Sequence, residues 1–176
     1  AKKLEGGSEE SILQPEWSSE TNLYFLSDRT GWSNLYRFSG EGSVLVCGGE
    51  FDIAGPLWGL GQSRYAISSG NDIYIAARST KSDVLIKNST ELDIAQWATI
   101  HTVRCTSSGF PIVVASTYQS GPTVIQASPE QKIIHHPKPH GVPIEYLPAP
   151  VDLTFPTFDG EEAHALFYAP AHPDFE

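Results

Sequence analysis

The sequence predicts an all-β fold of stacked, four-stranded antiparallel sheets, and three observations carry that prediction. Short apolar or β-branched runs recur along nearly the whole chain, separated by clusters of turn-forming residues. Many of these runs are apolar on consecutive residues rather than alternating, the pattern of strands covered on both faces. A phrase also repeats: Pro15-Glu16-Trp17 returns as Pro56-Leu57-Trp58 at an offset of 41 residues, and Trp97 lies 39 residues further on. A period of about 40–45 residues with four strands per unit belongs to propeller blades, which stack because one four-stranded blade cannot bury both apolar faces alone. The expected architecture is a partial β-propeller of about three four-stranded antiparallel blades, with a terminal hairpin.

Taken in order, the strand candidates are Leu23–Leu26, Leu35–Phe38, Val44–Val46, Tyr65–Ile67, Ile73–Ala77, Val84–Ile86, Ile100–Val103, Phe110–Ala115, Val124–Ala127 and Lys132–His135. Turn chemistry lies between them, as in Asp28-Arg29-Thr30-Gly31, Ser39-Gly40-Glu41-Gly42 and Ser69-Gly70-Asn71-Asp72. The only stretch compatible with a helical turn is Thr90 to Trp97. The expected organisation is a partial propeller over 1–136, with blades near 11–50, 51–94 and 95–136. A linker over 137–150 follows, stiffened by Pro137, Pro139, Pro143, Pro148 and Pro150. Residues 151–176 form the hairpin around Phe158-Asp159-Gly160-Glu161.

Composition narrows the function. The formal net charge is −10 and no Lys/Arg block occurs, which disfavours nucleic acid and anionic membranes as partners. With 40% hydrophobic and 18% charged residues, the chain has ample apolar content for a core and is not a disordered acidic tail. No apolar run approaches the roughly 20 residues of a membrane helix, and no signal peptide is visible at Ala1–Glu10. Methionine is absent even at position 1, and the chain stops soon after the hairpin at Ala171–Glu176; both features predict a piece of a longer polypeptide. Cys47 and Cys105 read as two free thiols in a reducing compartment, in preference to one bridge, so the expected location is cytoplasmic. The sequon Asn88-Ser89-Thr90 is a glycan acceptor only in a secreted protein.

Each candidate site meets a plainer reading. Asp28 and Arg29 have the chemistry to bind a peptide terminus, but Asp28 in a turn closes onto backbone N–H groups while Arg29 pairs at the surface. Trp32, Tyr36 and Trp58 suit a substrate tunnel, yet packing between blades accounts for large aromatics at repeat positions. His135, His136 and His140 are zinc-ligand types, but a Pro-rich linker offers no regular face to present them. Glu161, Glu162 and His164 flank a tight turn, and Glu9-Glu10 reads as a solvated charge pair. No catalytic, cofactor-binding or metal-binding residue is assigned.

The stretch Gln14-Pro15-Glu16-Trp17-Ser18, followed by Leu23-Tyr24-Phe25-Leu26-Ser27-Asp28-Arg29-Thr30-Gly31-Trp32-Ser33-Asn34-Leu35-Tyr36-Arg37, resembles the repeat of peptidase propellers. The family is the prolyl oligopeptidase group, in particular its acylaminoacyl-peptidase and dipeptidyl-aminopeptidase-like members. The Asp-Arg-x-Gly and Asn-Leu-Tyr-Arg phrases also occur in TolB-like propellers. Phe155-Pro156-Thr157-Phe158-Asp159-Gly160 and Ala163-His164-Ala165-Leu166-Phe167-Tyr168-Ala169-Pro170 resemble the strands that lead from propeller to α/β-hydrolase domain in that family. The likeness is strong at both ends and weak from about Lys81 to His136.

The resemblance implies a non-catalytic propeller that gates short peptides toward a Ser-His-Asp hydrolase domain of the same parent chain. That domain is missing here. The nearest approach to Gly-x-Ser-x-Gly is Gly61-Gln62-Ser63-Arg64-Tyr65, which lacks the second glycine, and no His-Gly-Gly loop follows the hairpin. The implied partners are that hydrolase domain and peptide substrates, without cofactor, nucleic acid or membrane, and with homo-association through open blade edges. The competing reading is a stand-alone TolB-like or WD-type propeller serving as a protein-binding module. The blades lack the Gly-His and Trp-Asp dipeptides of the WD type.

Overall fold

A computed structural model describes residues 2–56, 58–79, 82–94, 96–172 and 174. Leu57 of the repeated phrase, Lys81 at the margin of the weaker resemblance, and Ala95 within the candidate helical turn lie outside the described residues. So do Pro173, Phe175 and Glu176 at the end of the expected hairpin segment.

Three four-stranded antiparallel meanders follow one another. The first contains β1 (Ile12–Trp17), β2 (Leu23–Ser27), β3 (Asn34–Phe38) and β4 (Ser43–Cys47). The second contains β5 (Tyr65–Ile67), β6 (Ile73–Arg78), β7 (Asp83–Lys87) and β8 (Thr90–Leu92). The third contains β9 (Thr99–Cys105), β10 (Pro111–Ser116), β11 (Thr123–Gln126) and β12 (Lys132–His135). Beyond a single 3₁₀ turn at Ile144–Tyr146, β13 (Val151–Pro156) and β14 (Glu162–Phe167) pair as a hairpin. The fold is all-β, a partial β-propeller with a terminal hairpin, and no α-helix occurs among the described residues.

The middle sheet shows why consecutive apolar residues are required. Side chains alternate across a strand, so neighbours in β6 belong to opposite cores. Ile75 and Ala77 join Tyr24, Leu26 and Leu35 of the first sheet, with Tyr65 and Ile53. Tyr74 and Ala76 join Ile100, Val103, Val113 and Ile125 of the third sheet, with Leu85 and Trp97. A sheet filled on one side only would leave half of β6 in water. At roughly 25 cal/mol per Å² of apolar surface, stacking on both sides is a principal source of stability.

Turns follow their residue chemistry. Gly31 has φ +89°, and its N–H donates to the Asp28 carbonyl at 2.8 Å, closing the turn between β2 and β3. Asn88 and Ser89, both at positive φ, form the two-residue loop between β7 and β8. The sequon asparagine is thus a turn residue. Asn88 Oδ1 accepts from the Ile73 N–H at 2.8 Å, and its Nδ2 donates to Asp72 Oδ1 at 2.6 Å.

Several expectations need correction. Thr90–Leu92 is a strand, paired to β7, followed by a tight turn in which the Trp97 N–H donates to the Ile94 carbonyl at 2.9 Å. Strand β1 has no purely apolar run, since Gln14, Pro15 and Glu16 occupy its centre. The tryptophan period also differs from the structural one. Strands β2 and β6 start 50 residues apart, whereas β6 and β10 start 38 apart. The long connection from Gly48 to Arg64 makes the difference. Consequently Trp17 lies in β1, Trp58 in that connection and Trp97 in the core, at 59%, 84% and 5% exposure.

Candidate functional site

The three sheets are tied by a polar network that sequence reasoning did not identify. At Gln14 the backbone of β1 turns to φ +45° and the register with β2 shifts. This bulge aims the Gln14 amide at the second sheet, where Nε2 donates to Ser63 Oγ at 3.0 Å and to the Tyr65 carbonyl at 2.9 Å. Its Oε1 accepts from the Arg64 N–H at 2.7 Å, and Tyr65 Oη donates back to the Gln14 carbonyl at 2.6 Å. Burial pushes the Tyr65 phenol far above its ordinary value, so it acts as a neutral donor.

Arg64 extends the network to the third sheet. Its Nε donates to the Ile53 carbonyl at 2.9 Å, and its Nη1 donates to the Ile100 carbonyl and to Asp83 Oδ2, the latter at 3.2 Å. Asp83 Oδ2 also accepts from the Ile100 N–H at 2.8 Å. Both side chains are buried, at 6% and 3% exposure. Desolvation lowers the Arg64 pKa, and the Asp83 carboxylate opposes that shift. One ion pair therefore joins the connection before β5, strand β7 and strand β9.

This network also decides the chemistry of Ser63. The side chain is fully buried, and its Oγ donates to the Tyr65 carbonyl at 2.8 Å while accepting from Gln14. A nucleophilic serine needs an exposed hydroxyl beside a base. Ser63 instead serves the contact between sheets.

The other sequence candidates fall in separate places. Asp28 Oδ1 accepts from the Ser11 N–H at 2.7 Å, anchoring the segment that precedes β1 rather than its own turn. The Arg29 guanidinium lies 4.6 Å from the Tyr36 ring centroid and 5.6 Å from that of Phe25. It pairs with Glu5 at 3.0 Å and with Glu10 at 2.7 Å. Glu10 is thus an ion-pair partner, not a solvated charge. Tyr36 packs with Leu23 and Phe25 on the face of the first sheet remote from the second. The expected packing between blades does not describe Trp58, which projects into solvent.

Glu10 predicts a pH effect. The hydrogen bond from Ser27 and the pairing with Arg29 lower its carboxyl pKa, against a smaller opposing effect of desolvation. A depressed folded-state value gives stability that is complete above the ordinary glutamate range and disappears as pH falls through the lowered value. The difference in thermal midpoint between the parent protein and Glu10→Gln is expected to close over that acid window. A difference independent of pH contradicts this assignment.

His135, His136 and His140 are exposed, as are Glu161, Glu162 and His164, with His164 Nδ1 3.1 Å from Thr154 Oγ1. Among the described residues, no group of three or more His, Cys, Asp or Glu is arranged to hold a metal ion. Cys47 and Cys105 are free, half-buried thiols, and burial raises both pKa values. No helix among the described residues is long and apolar enough to cross a membrane.

The hairpin supplies an uncovered surface. Val151 faces Phe167, Leu153 faces Ala165 and Phe155 faces Ala163, which places six apolar side chains on one side of the two strands. Val151, Leu153, Phe155 and Phe167 are 42–56% exposed. A lone two-stranded hairpin is marginally stable in water, and this one carries an apolar face without a cover among the described residues.

No family model matches the sequence, and no curated protein matches it. Solved structures do. Puromycin hydrolase matches 99% of this chain with a TM-score of 0.82 and 28% identity. A mutant of that enzyme complexed with PGG matches 97%, with a TM-score of 0.82 and 27% identity. The chain resembles the propeller part of prolyl oligopeptidase-family peptidases. A Mycobacterium tuberculosis puromycin-hydrolyzing peptidase has the same fold over 97% of the chain, with a TM-score of 0.81 and 21% identity. The chain spans 27–28% of the length of these prolyl oligopeptidase-family neighbours.

Proposed function

We propose that this chain is the non-catalytic propeller portion of a cytoplasmic prolyl oligopeptidase-family serine peptidase, of the acylaminoacyl-peptidase or dipeptidyl-aminopeptidase-like kind. Its role is to gate short peptides toward a hydrolase domain supplied by the same parent chain. The observation that carries this reading is the likeness to puromycin hydrolase over 99% of the chain, hairpin included. The exposed apolar face of β13–β14 supports it, since further strands of a hydrolase domain would cover that face. The burial of Ser63 is consistent with it, because the serine of the Gly61-Gln62-Ser63-Arg64-Tyr65 stretch is then not the nucleophile.

The test compares this chain with its parent reading frame. The longer protein is expected to hydrolyse puromycin or short aminoacyl peptides and to react with a fluorophosphonate at a serine beyond Glu176. The 176-residue chain is expected to do neither. Labelling of Ser63, or an extended protein without hydrolase activity, overturns the proposal. Homo-association through open blade edges belongs to the same proposal: β12 is exposed throughout and carries Ile133 and Ile134. Light scattering is expected to show a mass above the monomer for this chain, and a clean monomer removes that part.

A further inference from the structure

An open cleft of about 600 Å³ lies between the first two sheets. It shares Phe51, Ile86 and Glu91 with an adjoining space of about 440 Å³ beside β4. Small-molecule sites commonly occupy about 300–1,000 Å³. The cleft exists because the core between these sheets ends before their outer strands do. Phe51, Val84 and Ile86 are only partly buried at the margin of that core, and Trp32 is 39% exposed.

Its walls are built rather than incidental. Asn34, 3% exposed, donates from Nδ2 to the Phe51 carbonyl at 3.1 Å, and its Oδ1 accepts from the Gly49 N–H at 3.3 Å. A Cβ on Gly48 would come within 2.5 Å of Asn34 Oδ1, so this close approach requires glycine. Asp52 Oδ1 accepts from the Ser33 N–H at 2.9 Å, and the Asp52 carbonyl accepts from the Arg78 N–H at 2.8 Å. These bonds fix the backbone beside Trp32 and at Phe51.

The charge lining the cleft is mainly acidic. Glu50, Asp52 and Glu91 line it, and Glu50 and Glu91 have no ion-pair partner among the described residues. The cation beside them, Arg78, has its Nε 3.5 Å from Asp83 Oδ1 and is engaged there. Aromatic faces attract cations, and the exposed carboxylates of Glu50 and Glu91 at the rim add to that attraction.

We propose that this cleft binds a small organic cation, an ammonium group carried on a flat or alkyl apolar body. The body lies against Trp32, Phe51 and Ile86, and the ammonium meets Glu50 and Glu91. The site is independent of the proposed gating role.

Two matched probes, 3-phenylpropylamine and 3-phenylpropionate, test this by calorimetry and by the indole N–H resonance of Trp32. The amine is expected to bind and shift that resonance, with the carboxylate at least about ten-fold weaker. Replacing both Glu50 and Glu91 with glutamine is expected to weaken the amine about ten-fold while leaving the far-UV spectrum unchanged. Equal binding of the two probes, no binding of the amine, or unchanged affinity in the double variant overturns the proposal. A Lys-rich peptide that binds here when the amine does not also overturns it, and marks a protein-docking surface instead.

Discussion

Replacing Asp83 with alanine is expected to destabilise the protein by about 3–5 kcal/mol, because removal of one partner leaves a buried charge without compensation. Arg64 is 6% exposed at its side chain, and no water replaces the lost carboxylate without opening the contact between the sheets. The Ile100 N–H loses its acceptor in the same step. The pair itself is a different quantity from the penalty of breaking it. A double variant, Arg64→Met with Asp83→Leu, removes both charges and is expected to be less destabilised than Asp83→Ala alone. Urea unfolding midpoints for the two single variants and the double variant check this. If Asp83→Ala shifts stability by less than about 1 kcal/mol, the ion pair is not the joint between sheets described above.

Tyr65 gives the second large effect. Its ring is fully buried between the first two sheets, and its hydroxyl donates to the Gln14 carbonyl at 2.6 Å. Tyr65→Ala is expected to lose about 3–5 kcal/mol, as large aromatic truncations in closed cores do. Tyr65→Phe keeps the ring and leaves the Gln14 carbonyl without its phenolic donor, at about 1–2 kcal/mol. The two losses separate packing from hydrogen bonding at one position. Chemical denaturation of both variants is the measurement, and equal losses would assign the whole effect to the hydroxyl.

The stacking of sheets was legible in residues such as Ile73-Tyr74-Ile75-Ala76-Ala77, because a strand apolar on every residue has two faces to bury. The hairpin was legible from its turn, Phe158-Asp159-Gly160-Glu161, set between apolar runs. Strand β1 was not. Its centre is Gln14-Pro15-Glu16, and only the fold shows that the bulge at Gln14 directs a polar side chain into the neighbouring sheet. The repeated Pro-x-Trp phrase led to the right architecture through positions that are not structurally equivalent, since Trp17 lies in a strand and Trp58 in a loop. Tryptophan spacing carries no information about an insertion between blades; strand spacing does.

The polar joint was invisible for a related reason. Ser63 and Arg64 were readable only as a failed nucleophile motif, and Asp83 lay just outside the strand candidate Val84–Ile86. Nothing in sequence order brings residues 64, 83 and 100 together, and only the stacking of the sheets does. An arginine between a glycine-rich connection and an apolar strand was the available signal. A charge placed there is either exposed at a strand end or paired in the interior.

The most direct test is a methyl-resolved NOE spectrum of the protein. Face-to-face stacking predicts cross-peaks from Leu85 of the second sheet to Ile100, Val103 or Val113 of the third. It also predicts peaks from Ile75 to Leu26 or Leu35 of the first. Cross-peaks confined within each sheet, with none between sheets, would contradict the account.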